Sequence, residues 1–346
     1  MKIGIATPYN GGNCGSYWQA AALKGYLEGL GHHGCFIKQT ASNFGTRHTA
    51  KMMAACLRKG DLKGCTNAIG SHKAFSRCQK SFDVVDEYSS LDFVVLGSDT
   101  IWNLESSHYL AQAHGYWGVD AFKAGVPVAS YAATVGNTSA ELLDKHPELL
   151  EALQRLVKVS VRDEYSRGLL AERSGVDIDL VCDPTLLVEP SFYAPFYKKR
   201  ESEYLLVYHF GKMPDALAQE VKDFAKKEGL EIVSFFGVDQ FSRTRQVSDP
   251  MRFIELFANA SYVVSNTYHG TMFTLAFEKQ GVFNSAGKNK IADMLERLDL
   301  GGNDWAQAEG ASVVGVPIDY SRVTAKIEQL RADSRRFLDE ALSASR

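Results

Sequence analysis

The sequence predicts an α/β protein built as two domains that face a central cleft. Three observations lead there. The chain has 346 residues, more than the ~250–300 at which a single hydrophobic core usually stops growing. Short continuous apolar runs alternate with helical patterns, and this alternation occurs twice, on either side of a stretch that lacks it. Glycine-rich turns close several of the apolar runs, where the backbone must bend sharply.

Residues 3–7 read as a buried strand and residues 10–15 as a glycine-rich turn. Ser16 can cap a helix whose Ala20, Leu23, Leu27 and Leu30 share one face. Further strands are expected at 93–96, 128–133, 159–162 and 178–182, with one helix over 140–157. Continuous apolar strands separated by helices argue for a parallel sheet covered on both faces. Between residues 192 and 203 the periodicity lapses, which places a linker there. The second alternation has strands at 204–209, 231–236, 262–265 and 282–284. Its helices lie at 215–227, from the Asp249-Pro250 pair onward, after the turn at 266–270, and at 289–298. Proline after Asp249 suits a first helical turn. Residues 320–342 read as one long helix. The expected layout is a Rossmann-like domain over 1–190, a second over 203–310, and a terminal helix within 318–346 that crosses back to the first. Strand carboxyl ends, where such sheets bind ligands, then point toward a shared crevice.

Composition narrows the function. The net charge of -3 and pI near 6.3 argue against a nucleic-acid partner held by phosphate contacts. The six cysteines form no CxxC pair and no metal-ligand spacing. Scattered thiols suit a reducing cytoplasm. No apolar stretch approaches the ~20 residues of a membrane span, and the start is too short for a signal peptide. The expected location is therefore the cytoplasm, with peripheral association at the inner face of the membrane. Residues 47–80 carry eight Lys and Arg against the single acid Asp61. That run reads either as a solvated helical face or as a surface for an acidic polymer or membrane lipid.

Several turns could carry chemistry. Asn10-Gly11-Gly12-Asn13-Cys14-Gly15 precedes a helix N-terminus, where free N–H groups favour an anion; the spacing fits no nucleotide fingerprint. It is either a tight turn or an anion contact. In Gly97-Ser98-Asp99-Thr100-Ile101-Trp102-Asn103, Asp99 is a general acid or base or else a helix cap, and Trp102 a sugar platform or a core residue. Arg162 can hold a carboxylate or phosphate through two hydrogen bonds, or pair with Asp163 or Glu164. Asp183, before proline, reads as structural. His269 lies after a buried strand between Tyr268 and Gly270, where a neutral imidazole can exchange a proton near neutral pH. Lys288 and Lys290 follow the last strand, and His209, Arg243 and Arg245 also fall at or beyond strand ends.

Taken in order, six segments resemble the polysaccharide pyruvyl transferase family: GGNCGSYWQA at 11–20, GSDTIWN at 97–103, SYAA at 130–133, VRD at 161–163, DPTLL at 183–187 and YHGTMF at 268–273. The resemblance implies a glycosyltransferase-B type fold. It also implies transfer of pyruvate from phosphoenolpyruvate to a sugar of a cell-surface polysaccharide or its precursor, forming a ketal. It implies His269 and Asp99 as catalytic groups, and Arg162, Lys290, Thr267, Gly270, Asn13 and Gly15 around the donor. Trp102, Asn103 and Tyr17 would meet the acceptor, a saccharide that is free or lipid-linked. No metal and no resident cofactor are expected, phosphoenolpyruvate being a substrate. Some members have an arginine where this chain has Thr267. Either Lys290, Arg243 or Arg245 substitutes, or the donor differs. The competing readings are a nucleotide-sugar glycosyltransferase and a saccharide-binding homologue without activity.

Overall fold

The computed structural model describes residues 1–38, 46–58, 60–200, 203–235, 240–241 and 248–344. Its first sheet holds Lys2–Ala6 (β1), His33–Ile37 (β2), Val84–Val85 (β3), Phe93–Leu96 (β4) and Val128–Ser130 (β5). They run parallel in the order β3-β2-β1-β4-β5, with Ile3 opposite both Gly34 and Phe93. Bridges from Asp99 to Ala133 and from Ala133 to Val161 join this sheet to the pair Ser160–Val161 (β6) and Asp179–Leu180 (β7). The second sheet holds Tyr204–Tyr208 (β8), Glu231–Phe235 (β9), Tyr262–Ser265 (β10) and Gln280–Phe283 (β11), parallel in the order β11-β10-β8-β9. Ile3, Ile5, Val94, Val95, Leu205, Val207 and Val264 are all buried, as strands covered on both faces require.

The structure departs from the sequence reading in its details: Asn13, not Ser16, caps the first helix, which already starts at Cys14. The helix expected over 140–157 is two, Ala140–Leu143 and Pro147–Gln154. Pro147 has no N–H to continue the first helix and instead opens the second. Strands β2 and β3 were not anticipated: β2 follows the first helix after only a short turn, and β3 is two residues long.

The two sheets are locked together by an aromatic seam. Trp18, on the helix Cys14–Gly29, is fully buried and donates from Nε1 to the Pro250 carbonyl oxygen at 2.7 Å. Its indole meets Tyr193 at 5.7 Å and Phe196 at 5.0 Å, and Tyr193 meets Phe273 at 5.5 Å. The terminal helix Tyr320–Ser343 ties both ends of the molecule. Tyr320 donates from its hydroxyl to the Lys279 carbonyl at 2.6 Å, whereas Arg331 donates to the Leu186 carbonyl at 2.8 Å and Ser334 accepts from Cys182 N at 2.8 Å. Among the described residues no helix is long and apolar enough to cross a membrane.

The seam makes a prediction. Trp18→Ala removes a buried indole and its hydrogen bond, and is expected to cost about 3–5 kcal/mol. Thermal unfolding should show a midpoint lowered by several degrees; an unchanged midpoint would mean the seam carries no stability.

Candidate active site

In open parallel sheets, ligands gather outside the strand carboxyl ends where the strand order reverses. Here those points are β1/β4 in the first sheet and β8/β10 in the second. The turns after β1 and β10 carry Asn13 and His269, and both line one cavity of ≈ 450 Å³ together with Asn137, Asp163, Thr267 and Lys290. That volume suits a small ligand.

Four helices begin at this cavity, among them Glu164–Ser174, whose cap Asp163 and whose Tyr165 line it. Asn13 caps the first, its Oδ1 accepting from Gly15 N at 2.8 Å. Thr267 caps Tyr268–Ala276, its Oγ1 accepting from Gly270 N at 2.9 Å. The last, Asn289–Arg297, has no side-chain cap. Helix N-termini present free N–H groups and a positive dipole end, so their convergence favours an anion. Asn266 clamps the β8 and β10 turns: its Oδ1 accepts from Phe210 N at 2.8 Å and its Nδ2 donates to the Phe210 carbonyl at 3.0 Å. Lys288 donates to the Asn266 carbonyl oxygen from the start of Asn289–Arg297.

Behind the cavity lies a buried charge cluster. Arg162 is 1% exposed; its Nη1 donates to Asp183 Oδ2 at 2.5 Å and to Ser98 Oγ at 3.0 Å. Its Nη2 stands 3.5 Å from Asp99 Oδ1, and its guanidinium lies 4.4 Å over the Tyr268 ring. Asp99 also accepts from Ser16 Oγ at 2.5 Å and adopts the left-handed φ of 82°, a conformation that for aspartate needs support from its surroundings. Burial alone would raise the Asp99 pKa, but His269, Arg162 and the Ser16 hydroxyl more than offset it and hold it at about 2.

His269 closes the cavity wall. Its ring rests against Gly15, where an added Cβ would come within 2.4 Å of Cγ and Nδ1. Its Nε2 is buried without a hydrogen-bond partner and lies 4.0 Å from Asp183 Oδ2. Burial lowers its pKa despite Asp183 and Asp99, so the imidazole is neutral near pH 7. Lys290 is half-buried, and desolvation beside Arg162 brings its pKa down to about 8.

The expected site residues therefore divide. Asn13, Thr267, His269 and Lys290 meet at the cavity, Asn13 and Thr267 as helix caps. Arg162 is sealed behind it, so it organises carboxylates rather than touching a ligand. Asp99, already ionised in that cluster, is no proton donor near neutral pH. Gly15 is required by the His269 ring, and Gly270 by Ser265 Oγ, which an added Cβ would meet at 2.1 Å; the N–H of each is already taken, by Asn13 and by Thr267. Trp102 is fully buried, donates to the Tyr116 carbonyl at 2.8 Å and stacks on Trp117 at 4.9 Å, so it is a core residue, not a sugar platform. Tyr17 is likewise enclosed, stacked on Phe82 at 5.0 Å. Asn103 packs against Gly136. His209 is buried at the end of β8; Arg243 and Arg245 lie outside the described residues. Sequence reasoning passed over Asp163. Its Oδ1 caps the helix Glu164–Ser174, accepting from Ser166 N at 2.9 Å, while its Oδ2 is buried without a partner on a residue that lines the cavity.

The Lys290 environment sets a pH dependence. Inorganic phosphate, titrated calorimetrically, is expected to bind about tenfold more weakly per pH unit above about 8, as the ammonium becomes neutral. Lys290→Arg keeps its charge and should flatten that decline. Wild-type affinity that stays level between about pH 7 and 9.5 would separate Lys290 from the anion.

Comparison with known proteins places this geometry. The chain is similar in structure to the UDP-N-acetylglucosamine 2-epimerase from Rickettsia bellii, with a TM-score of 0.52, 13% sequence identity, and 99% of this chain and 96% of that one covered. It is also similar to an alpha-glucosyltransferase in complex with UDP and a 13-mer DNA, with a TM-score of 0.50, 12% identity, and coverage of 100% and 95%. At such identity the likeness is one of fold, the glycosyltransferase-B arrangement of two facing parallel sheets. No curated protein is significantly similar to the chain. The family model for polysaccharide pyruvyl transferases matches residues 13–283, from the Asn13 cap to the end of β11 and short of the cavity wall at 287–291, and the chain belongs to that family.

Proposed function

We propose that this chain transfers the three-carbon unit of phosphoenolpyruvate to two hydroxyl groups of a saccharide, leaving a cyclic ketal and free phosphate. The observation that carries this reading is the cavity wall. Helix N-termini and Lys290 surround a space that His269 also lines, its buried Nε2 without a hydrogen-bond partner.

The chemistry balances without an oxidant. A proton adds to the methylene carbon and makes it a methyl, leaving the adjacent carbon electron-poor. One hydroxyl oxygen bonds there, the carbon–oxygen bond to phosphate breaks, and the second hydroxyl closes the ring. Of the two hydroxyl protons released, one replaces the proton given to carbon and the other leaves with phosphate. Lys290 and the amides of Asn289–Arg297 and Tyr268–Ala276 hold the anionic donor. Its charge raises the proton affinity of the neutral His269, which delivers the proton to carbon. The unpartnered oxygen of Asp163 takes a hydroxyl proton. Arg162 acts through Asp183 and Asp99 as a positioning residue. Where some members carry arginine, this chain has Thr267 with Lys288 and Lys290 on the same wall.

Thermal shift tests the donor. Phosphoenolpyruvate at about 100 times its Kd should stabilise the protein by about 2.7 kcal/mol, while UDP- and GDP-sugars leave it unchanged; the reverse pattern would point to a glycosyltransferase. Phosphate release in the presence of a saccharide tests the groups. His269→Ala should lower it at least about 100-fold with the fold retained, and full turnover would remove the acid assignment. Asp163→Asn keeps a competent helix cap, so a loss of about 100-fold at unchanged melting temperature isolates the carboxylate. An undiminished rate would reduce Asp163 to a cap.

A further inference from the structure

The basic run at 47–80 takes no part in the cavity. It forms two helices, Thr46–Arg58 and Leu62–Gln79, the second opened by Asp61, whose Oδ1 accepts from Gly64 N at 2.8 Å. Cys65, Ala68, Ser71, Phe75 and Cys78 form a buried stripe along the second helix. It settles on the seam: Phe75 packs with Tyr17, and Ser71 Oγ accepts from Ser248 N at 3.0 Å. The first helix lies outside the second and touches it through Met53, whose carbonyl accepts from Cys65 Sγ at 3.6 Å.

The opposite face of the second helix is unusual. Leu62, Thr66, Ile69, Lys73, Arg77 and Lys80 are exposed, at spacings of three and four that set them in one row. Arg77 also pairs with Asp249 at 3.1 Å. Leu62 and Leu57, at 70% and 57%, are the two most exposed large apolar side chains among the described residues, and Met52 on the first helix is exposed too. Lys51 and Arg58 are exposed on the first helix. Charge is segregated in the same way. The run carries eight basic residues and one acid, leaving 30 basic against 40 acidic residues elsewhere.

We propose that this helical hairpin docks on an anionic bilayer surface, with Leu57, Leu62 and Met52 entering the interface and the lysines and arginines meeting lipid phosphates. Protruding leucines alone would fit another protein as well. Exposed basic residues on the same two helices, on an otherwise acidic molecule, select a negatively charged partner with an apolar interior. Arg77 and Ser71 join the hairpin to Asp249 and Ser248, and Ser248 Oγ lies 3.5 Å from Cys14 Sγ, beside the first turn of the helix that opens on the cavity. Docking would therefore hold the cleft near the membrane.

Co-sedimentation of the full chain with lipid vesicles tests this. Vesicles of phosphatidylcholine with roughly a third phosphatidylglycerol should bind at least about tenfold more protein than phosphatidylcholine alone. That excess should vanish between about 0.1 M and about 1 M salt, as the Debye length falls from about 10 Å to about 3 Å. Lys73→Glu with Lys80→Glu, and separately Leu57→Glu with Leu62→Glu, should each cut binding at least about tenfold at unchanged melting temperature. Equal binding to both vesicle types, or none to either, overturns the proposal. So does a dimer in solution that Leu57→Glu with Leu62→Glu converts to monomer without any vesicle binding. Bilayer binding does not depend on the donor chemistry, so the two readings fail separately.

Discussion

The Arg162–Asp183 ion pair is sealed from water where the ends of β4 and β6 meet the short helix Pro184–Leu187, and the surrounding site is arranged around its need for partners. A guanidinium buried to this degree requires charge and hydrogen bonds on several sides, and removing one member of such a pair typically costs 3–5 kcal/mol. Asp183 answers on one side, Ser98 fills the same Nη1, and Asp99 faces Nη2. Tyr268 offers its ring face from the second half of the molecule. The cluster thus draws the β4 turn, the β6 end and the start of the Tyr268–Ala276 helix together, and the cavity lies beside it.

The same economy explains the protonation states around the cavity. Two ionised carboxylates, Asp99 and Asp183, already have the guanidinium, so neither is free to exchange protons at neutral pH. His269 stands within reach of both yet remains neutral, because loss of water outweighs their attraction. An arriving anion changes that balance. Its charge would favour the imidazolium and the Lys290 ammonium together. Asp163 differs from the other two acids. One oxygen is committed to a helix N-terminus, and the other is buried without a partner on a residue that lines the cavity.

Precise placement of these groups depends on the seam. Helix Cys14–Gly29 contributes Asn13 and Gly15 to the site at one end and Trp18 to the aromatic cluster one turn later. The His269 ring presses on Gly15 from a helix whose Phe273 belongs to that same cluster. Packing and site geometry are therefore one structure, and the two sheets do not meet merely through solvent.

The amino-acid sequence alone determined the parallel α/β architecture, because apolar runs of strand length and helical periodicity are local properties. It also marked the turns that matter: Asn13, His269 and Lys290 follow buried strands, and a parallel sheet sends all such turns toward one edge. Tertiary structure decided which side chains at those turns face the ligand space. Trp102 and Tyr17 look like sugar platforms in isolation, but an indole or phenol is drawn into whatever apolar space its neighbours enclose. Arg162 and Asp99 look like ligand contacts until their mutual pairing is seen across a long separation in the chain. Gly15 is explained only by His269, far away in sequence. Burial and charge pairing are sums over distant neighbours, and no local pattern contains them.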